Sequence, residues 1–376
     1  MIQVFSNSLG AGELKALKSV FKSKWIGFGR ETKIFEKELG KKIGSQRVLA
    51  LNSCTSGLFM SMKILKLGPG DEVIIPTINF IGTANAVLAA GAKPVFADVD
   101  PEYLNILPSQ IKKLRTRRTR AIILLHYGGH PCDMDEIYKY TKGLHIIEDS
   151  ANSPFSKYKG KNCGTLGDIG CFSFDAMKIL SVGNGGAIWL KDDALYKRAV
   201  EYRYFGLRNK KQSGVDSFKE KKSRWWEIEL SCVSNRFIPC DILSSIGRVQ
   251  LSKVDSFIGR RKQIWKVYQK ELSGLYWLTR PPEPLNETRS SYYLYWIRVC
   301  PGLRDKLARH LVDNGVYCTF RYFPLHLIKH YKAKQHLPNS EELNQSVLNI
   351  PLHQNISDRQ VDKIIKVIKR FGSLYC

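Results

Sequence analysis

The sequence predicts an α/β protein with a mostly parallel, mixed sheet and a second, smaller α/β block near its C-terminal end. Three observations carry this. Short apolar runs alternate with helical patterns from residue 47 to residue 204, the order that a parallel sheet with crossover helices produces. A long helical pattern from Asp241 to about Leu272 then ends the alternation. The chain has 376 residues, 43% of them apolar, enough to bury a large core.

Strands are predicted near 47–52, 72–76, 94–98, 120–125, 145–149, 170–174 and 185–190. Runs such as His145-Ile146-Ile147 are apolar in succession, as strands covered on both faces require. Helices are predicted near 57–66, 83–90, 134–142 and 192–204. In the pattern from Asp241, residues Ile242, Ile246, Val249 and Val254 share one face, which reads as a helix connecting two domains, 1–255 and 256–376. Beyond it, Tyr292 to Val299 reads as a strand, Leu303 to Asn314 as a helix and Asp358 to Phe371 as a final amphipathic helix. No internal repeat is present.

Composition narrows the function. No apolar stretch reaches about 18 residues and no charged-then-apolar leader opens the chain, so neither a membrane span nor a signal peptide is predicted. Nine cysteines without a Cys-x-x-Cys pair fit free thiols in a reducing cytoplasm and no metal site. His130-Pro131-Cys132 reads as a tight turn. The net charge is +25, and Lys112 to Arg120 and Lys210 to Lys222 are basic runs. A nucleic acid or an anionic membrane would attract such runs. The first, however, lies between a short helix and a strand without interleaved aromatics, which suits a solvated turn. No nucleic-acid partner is therefore expected, and part of the charge would draw in an anionic substrate.

The chemistry centres on Lys178, in the turn between the predicted strands Cys171–Phe174 and Asn184–Leu190. Held against apolar walls, its ammonium would be disfavoured, its pKa would fall, and the amine would become a better nucleophile. Ser173 offers a hydroxyl to an anionic group such as a phosphate, and a lysine with a phosphate-holding serine is what pyridoxal phosphate needs. Asp149 closes a predicted buried strand, where ligands of α/β proteins bind, and its carboxylate could pair with a protonated pyridine nitrogen; a helix cap or a structural ion pair would explain it equally. Asn152 could bond the ring's phenolic oxygen, or be a surface amide. In Asn52-Ser53-Cys54-Thr55-Ser56-Gly57, a strand runs into a helix start whose free N–H groups suit a phosphate, though simple capping leaves the same sequence. Phe80 is a candidate to stack on the ring or to fill the core.

Taken in order, these segments resemble the DegT/DnrJ/StrS family of sugar-nucleotide aminotransferases, of fold type I among the pyridoxal-phosphate enzymes. The likeness extends through Trp25-Ile26-Gly27-Phe28-Gly29, Ala92 to Asp100, Gly129-His130-Pro131-Cys132-Asp133-Met134, Tyr322-Phe323-Pro324-Leu325-His326 and Ile350 to Ser357. The resemblance implies that Lys178 is the Schiff-base lysine and Asp149 the pyridinium partner. It implies that Thr55, Ser56 and Ser173 hold the phosphate, that Phe80 covers the ring and that Asn152 lies near the phenolic oxygen. Asn235 would reach the cofactor phosphate of the neighbouring subunit in a homodimer with shared sites. Arg321 and His326 would face the substrate. Departures are Gly128 where a tyrosine is usual, Cys54 for glycine, Asn184 for an acidic residue and Arg321 for histidine, the last a possible phosphate clamp. A lysine at 178, where some relatives carry histidine and dehydrate sugars, implies transamination. L-glutamate would give its amine to the cofactor, which would pass it to a keto-sugar nucleotide. The acceptor would be a dTDP- or UDP-linked 4-keto-6-deoxyhexose aminated at C4, with C3 amination of a 3-keto isomer as the alternative. The product would serve amino sugars of surface polysaccharide, such as the O-antigen of lipopolysaccharide.

Overall fold

The computed structural model describes residues 1–208, 227–300 and 302–375. Helices α1 (Ala11–Lys22) and α2 (Arg30–Ile43) precede the first strand. Then follow β1 (Val48–Leu51), α3 (Cys54–Ile64), β2 (Glu72–Pro76), α4 (Ile81–Ala89), β3 (Lys93–Ala97), α5 (Pro108–Leu114), β4 (Thr119–Leu125), α6 (Met134–Tyr140) and β5 (His145–Asp149). Short strands β6 (Lys157–Tyr158) and β7 (Lys161–Asn162) lead to β8 (Ile169–Ser173), β9 (Gly186–Leu190) and α7 (Asp193–Tyr202). After α8 (Asp241–Glu271) come β10 (Leu278–Thr279), β11 (Thr288–Arg289), β12 (Tyr295–Val299), α9 (Arg304–Asp313), α10 (Pro338–Ser346), β13 (Val347–Ile350) and α11 (Asp358–Tyr375).

Seven strands form one sheet in the order β1-β9-β8-β5-β4-β2-β3. Only the β9 pairings in it are antiparallel. Alternation along each strand splits its side chains between two cores. Ala121 and Ile123 of β4 join Leu58, Met62 and Val87 from α3 and α4 on one face. Ile122 and Leu124 join Ile111, Met134 and Ile137 from α5 and α6 on the other. Both faces are thus covered, which is why these strands read as continuous apolar runs. At about 25 cal/mol per Å², such burial is the main stabilising term.

A three-stranded antiparallel sheet, β10-β12-β13, forms the second block. Against it pack α9 and α11, the latter burying Val361, Ile364, Ile365, Ile368 and Phe371 at helical spacing. The chain start joins this block, because Ile2 N donates to Gly315 O and Ile2 O accepts from Tyr317 N.

The 31-residue helix α8 matches the predicted connector, but its buried face differs from the predicted one. Ser244, Gly247, Leu251, Val254, Ile258, Arg261, Trp265 and Tyr268 are buried, whereas Ile242, Ile246 and Val249 are only half-covered. Small and polar residues occupy the contact line because α2 approaches closely there: Thr32 Oγ1 bonds Ser244 Oγ at 2.8 Å. Asp241 also caps α2 from a distance, its carboxylate accepting the N–H groups of Gly29, Glu31 and Thr32. The predicted basic turn at 112–120 is tied down at Arg115, which donates to Tyr140 O and Lys142 O, and at Arg118, which pairs with Glu72 at 2.9 Å. The second basic run, 210–222, and the aromatic triplet Arg224-Trp225-Trp226 lie outside the described residues. Among the described residues no helix is long and apolar enough to cross a membrane.

Candidate active site

The carboxyl ends of β5 and β8, the start of β9 and the N-terminal ends of α3 and α4 converge on one cavity of about 260 Å³, closed on the far side by Met177, Lys178, Arg321 and Tyr322. That is where ligands of open α/β sheets bind. Two clefts elsewhere are larger, about 690 Å³ beside Arg248 and about 460 Å³ beside Trp296. The first is lined by the partly exposed ion pairs of Arg248 with Glu31 and Glu38, the second by loop residues such as Pro281 and Pro282. Convergent chemistry is found in the smaller cavity.

Lys178 is held by a tight turn, its N–H bonded to Asp175 O at 2.9 Å while Asp175 Oδ1 accepts the Met177 N–H. The residue is half-buried, but its Nζ is enclosed, 3.4 Å from Tyr293 Oη and 4.8 Å from that ring's centre. The expected fall in its pKa is not what the structure shows. Burial does lower it, but Tyr293, Tyr322, Asp149 and Cys54 together outweigh that and hold the ammonium above its ordinary range. The wall of this part of the cavity is polar, not apolar.

Asp149 ends β5 fully enclosed, one carboxylate oxygen accepting the Ala151 N–H at 3.1 Å and the other the Thr83 hydroxyl at 3.4 Å. Burial pushes its carboxyl up, opposed by the Ala151 N–H, the Lys178 ammonium and Thr83. Cys54 Sγ lies 3.8 Å from Asp149 Oδ1. Burial and then the Asp149 charge hold that thiol well above its usual range, so it stays a donor. Ser173, at the end of β8, lines the same space.

At the start of α3, Ser53 Oγ accepts the Ser56 N–H at 3.0 Å, while the N–H groups of Cys54 and Thr55 have no acceptor among the described residues. Glycine at 186 permits this meeting, since a Cβ there would overlap the backbone of Ser53 and Cys54. Phe80, the residue before α4, leaves 49% of its surface exposed at the cavity, tilted against Tyr322 at 6.0 Å. Asn152 is fully buried, donating to Tyr322 Oη at 3.4 Å, and its Oδ1 has no partner. The Nδ2 of buried Asn79 is also unpartnered. Both amides line the cavity, and an unsatisfied buried polar atom is costly unless a ligand meets it. A lysine side chain, a buried carboxylate, unfilled helix N–H groups, an unpartnered atom on each of two buried amides and an uncovered aromatic ring together fit pyridoxal 5'-phosphate.

The structure thus brings Thr55, Phe80, Asp149, Asn152, Ser173, Lys178 and Arg321 to one cavity. Ser56 does not line it, its hydroxyl being bonded to the exposed Asn52 through Oδ1 at 2.6 Å. Asn235 is exposed and does not line this chain's cavity; its carbonyl accepts the Phe205 N–H. His326 does not line the cavity either. It is buried with Nδ1 2.7 Å from Thr77 Oγ1 and Nε2 3.2 Å from Glu341, so both ring nitrogens are already engaged. His130, in the predicted turn, is buried and kept neutral by desolvation, its pKa lowered to about 3. Sequence reasoning gave no role to Asn79, Tyr293 or Tyr322, although Tyr322 stood in a segment expected to face the cofactor. Asn79 carried a signal, standing beside Phe80 after a predicted strand.

The family model of the DegT/DnrJ/EryC1/StrS aminotransferase family matches residues 7–369. The chain is 40% identical over 365 residues, 96% of its own length and 94% of the other's, to dTDP-4-dehydro-2,3,6-trideoxy-D-glucose 4-aminotransferase of Saccharopolyspora spinosa. Among solved structures it is similar to the aminotransferase TlmJ from Streptoalloteichus hindustanus, with a TM-score of 0.94, 41% identity and 100% of both chains covered. It is also similar to the putative sugar aminotransferase Spr1654 from Streptococcus pneumoniae in its PLP form, with a TM-score of 0.91, 25% identity and 99% of each chain covered.

Proposed function

The chain belongs to the DegT/DnrJ/EryC1/StrS aminotransferase family, and from that premise we propose that this sugar aminotransferase moves the amino group of L-glutamate to C4 of a dTDP- or UDP-linked 4-keto-6-deoxyhexose. The observation that carries the reading is the meeting of Lys178 and Asp149 in one cavity beside the unfilled N-terminus of α3. The C4 position is favoured by the relative at 40% identity, whose name is that of a sugar 4-aminotransferase.

Pyridoxal 5'-phosphate, the family's cofactor, supplies an electron sink for the carbanion that forms when the substrate carbon loses its proton. Lys178 would hold the cofactor through its amine and, when that amine is free, would carry the proton between the substrate carbon and the cofactor. Asp149, whose carboxyl burial pushes up against the opposing Ala151 N–H, Lys178 and Thr83, would pair with the ring nitrogen. Thr55, Ser173 and the α3 N-terminus hold the phosphate, Ser56 stiffens that turn through Asn52, and Phe80 covers the ring. Asn152 would lie beside the phenolic oxygen, where the second N–H of its Nδ2 could donate to it. Asn235, exposed on its own chain, completes the site of a second copy in a homodimer. Arg321, at the cavity rim, binds the diphosphate, while His326 only ties its segment to Thr77 and Glu341. Residues 1–255 act as the cofactor domain and 256–376 as the smaller one. The product serves surface-polysaccharide synthesis in the cytoplasm.

Incubation with cofactor, glutamate and a panel of 4-keto and 3-keto nucleotide sugars, read by mass and by the position of the new amine, tests this. A C4 amino sugar is expected. A C3 product would overturn the regiochemistry, and no product from any keto-sugar would overturn the substrate class.

A further inference from the structure

We propose that Tyr293 is a further catalytic residue, a built-in hydrogen-bond acceptor that holds the Lys178 nitrogen with its lone pair turned to the cavity while that nitrogen is free. The inference rests on the reading above only for what Lys178 does; the contact between the two side chains stands by itself. Tyr293 is fully buried, and among the described residues Lys178 Nζ, at 3.4 Å, is the only hydrogen-bond partner of its hydroxyl. The hydroxyl of a buried phenol is thus placed against one amine.

The placement is built from distant parts of the chain. Tyr293 N donates to Gly128 O at 2.9 Å, and Tyr293 O accepts from the buried Arg261 guanidinium at 3.2 Å. Its ring stacks on Phe5 at 5.6 Å and 26°. Phe5 in turn lies under the Arg321 guanidinium at 4.5 Å. Gly128 has φ +61°, and a Cβ there would come within 2.6 Å of Trp296 Cζ3. Glycine at 128 therefore lets the segment carrying Tyr293 approach β4, and this explains the departure at that position in physical terms.

The proton balance is simple. The free amine has two N–H groups and a lone pair, the ammonium three N–H groups. Tyr293 Oη accepts one N–H in either state and keeps its own proton, so the lone pair stays directed at the substrate carbon. The proton travels only between that carbon, Lys178 and the second carbon. The groups facing the Lys178 nitrogen are Tyr293, Tyr322, Asp149 and Cys54. Of these only Tyr293 makes a hydrogen bond to it.

Competitive labelling of Lys178 in cofactor-free protein, with an amine-directed reagent between about pH 7 and 11, separates this proposal from the assignment of the cofactor. For wild type the labelling rate should still be climbing at the top of that range. For Tyr293→Phe, which has lost the acceptor that favours the ammonium, it should level off at least one pH unit lower, about a tenfold gain in free amine at a given pH. Tyr322→Phe, which makes no hydrogen bond to Lys178, should shift it by much less. In the loaded enzyme, Tyr293→Phe should lower kcat about tenfold or more while the KM values for both substrates stay within about twofold. Coincident labelling profiles for wild type and Tyr293→Phe would overturn the proposal whatever Lys178 binds. So would a shifted profile with unchanged kcat. A shifted profile in a protein that never binds the cofactor would leave the pair standing as an acceptor and its amine, and would overturn the proposed function instead.

Discussion

Glu148 stands one residue before Asp149 and anchors the floor of the site. It is fully buried, and four donors reach its carboxylate. Leu166 N and Gly167 N bond Oε1 at 2.6 and 2.7 Å, while Gly164 N and His126 Nε2 bond Oε2 at 2.6 and 2.9 Å. His126 Nδ1 already accepts the Cys132 N–H at 3.0 Å, so it is Nε2 that donates to Glu148. Glu148→Gln keeps the shape but turns one acceptor into an NH₂ group. Whichever way the amide is placed, two donors lose their acceptor. A histidine tautomer change cannot repair this, because Nδ1–H would then confront the Cys132 N–H. Each unsatisfied buried donor costs about 1–3 kcal/mol, so about 2–6 kcal/mol is expected. With about 2.1 cal/mol/K per residue, the 376-residue chain should lose about 3–8 °C of melting temperature. The assay is thermal unfolding of the cofactor-free protein, together with cofactor affinity, which should weaken as β5 loosens beside Asp149. A Glu148→Gln protein melting within a degree of wild type would refute the reasoning.

Other predictions concern pH, substrate and partner. Asp168 is lowered to about 2 from 3.8: burial raises it, but His145, the Ile146 N–H and Lys191 outweigh that. Since the folded value is depressed, its stabilisation is present above about pH 4 and is lost as pH falls through about 2. Asp168→Asn should therefore cost on the order of 2 kcal/mol near neutrality and flatten the acid limb of a stability–pH curve; an unchanged limb would contradict this. Arg321→Ala should raise the KM for the sugar nucleotide more than that for glutamate, and the reverse pattern would mean that Arg321 reads the amino donor. Asn235→Ala should weaken cofactor binding without altering sedimentation, and an active wild-type monomer at assay concentration would sink the shared-site dimer.

The large sheet was legible because each of its strands is covered on both faces and so reads as an apolar run between helical patterns. The residues of the cavity that could be read, Lys178, Asp149, Thr55, Phe80 and Ser173, stand at strand ends, helix starts or the turn between two strands, where local pattern is enough to place them. Tyr293 was not legible. Tyr292 to Val299 read as one strand, whereas β12 begins only at Tyr295, and packing against Gly128 and Phe5 turns the Tyr293 hydroxyl to Lys178. The same blindness produced the wrong direction for the Lys178 pKa, since sequence shows the apolar run beside it but not the tyrosines and carboxylate across the cavity. His326 misled by adjacency: it shares a motif with Arg321, but the 3₁₀ turn Leu325–Leu327 carries it to Thr77. Helix α2 went unread although its buried Phe35, Leu39 and Ile43 recur at helical spacing with charged residues between.

The central claim is that Lys178 is the residue that holds the cofactor. Borohydride reduction of the loaded protein makes such a link permanent, and peptide mapping by mass then locates it. The reading predicts one modified peptide, carrying the added cofactor mass on Lys178, and none in Lys178→Ala at equal folded content. A stable adduct on any other lysine, or an unmodified Lys178 in a protein that turns over its substrates, would contradict it.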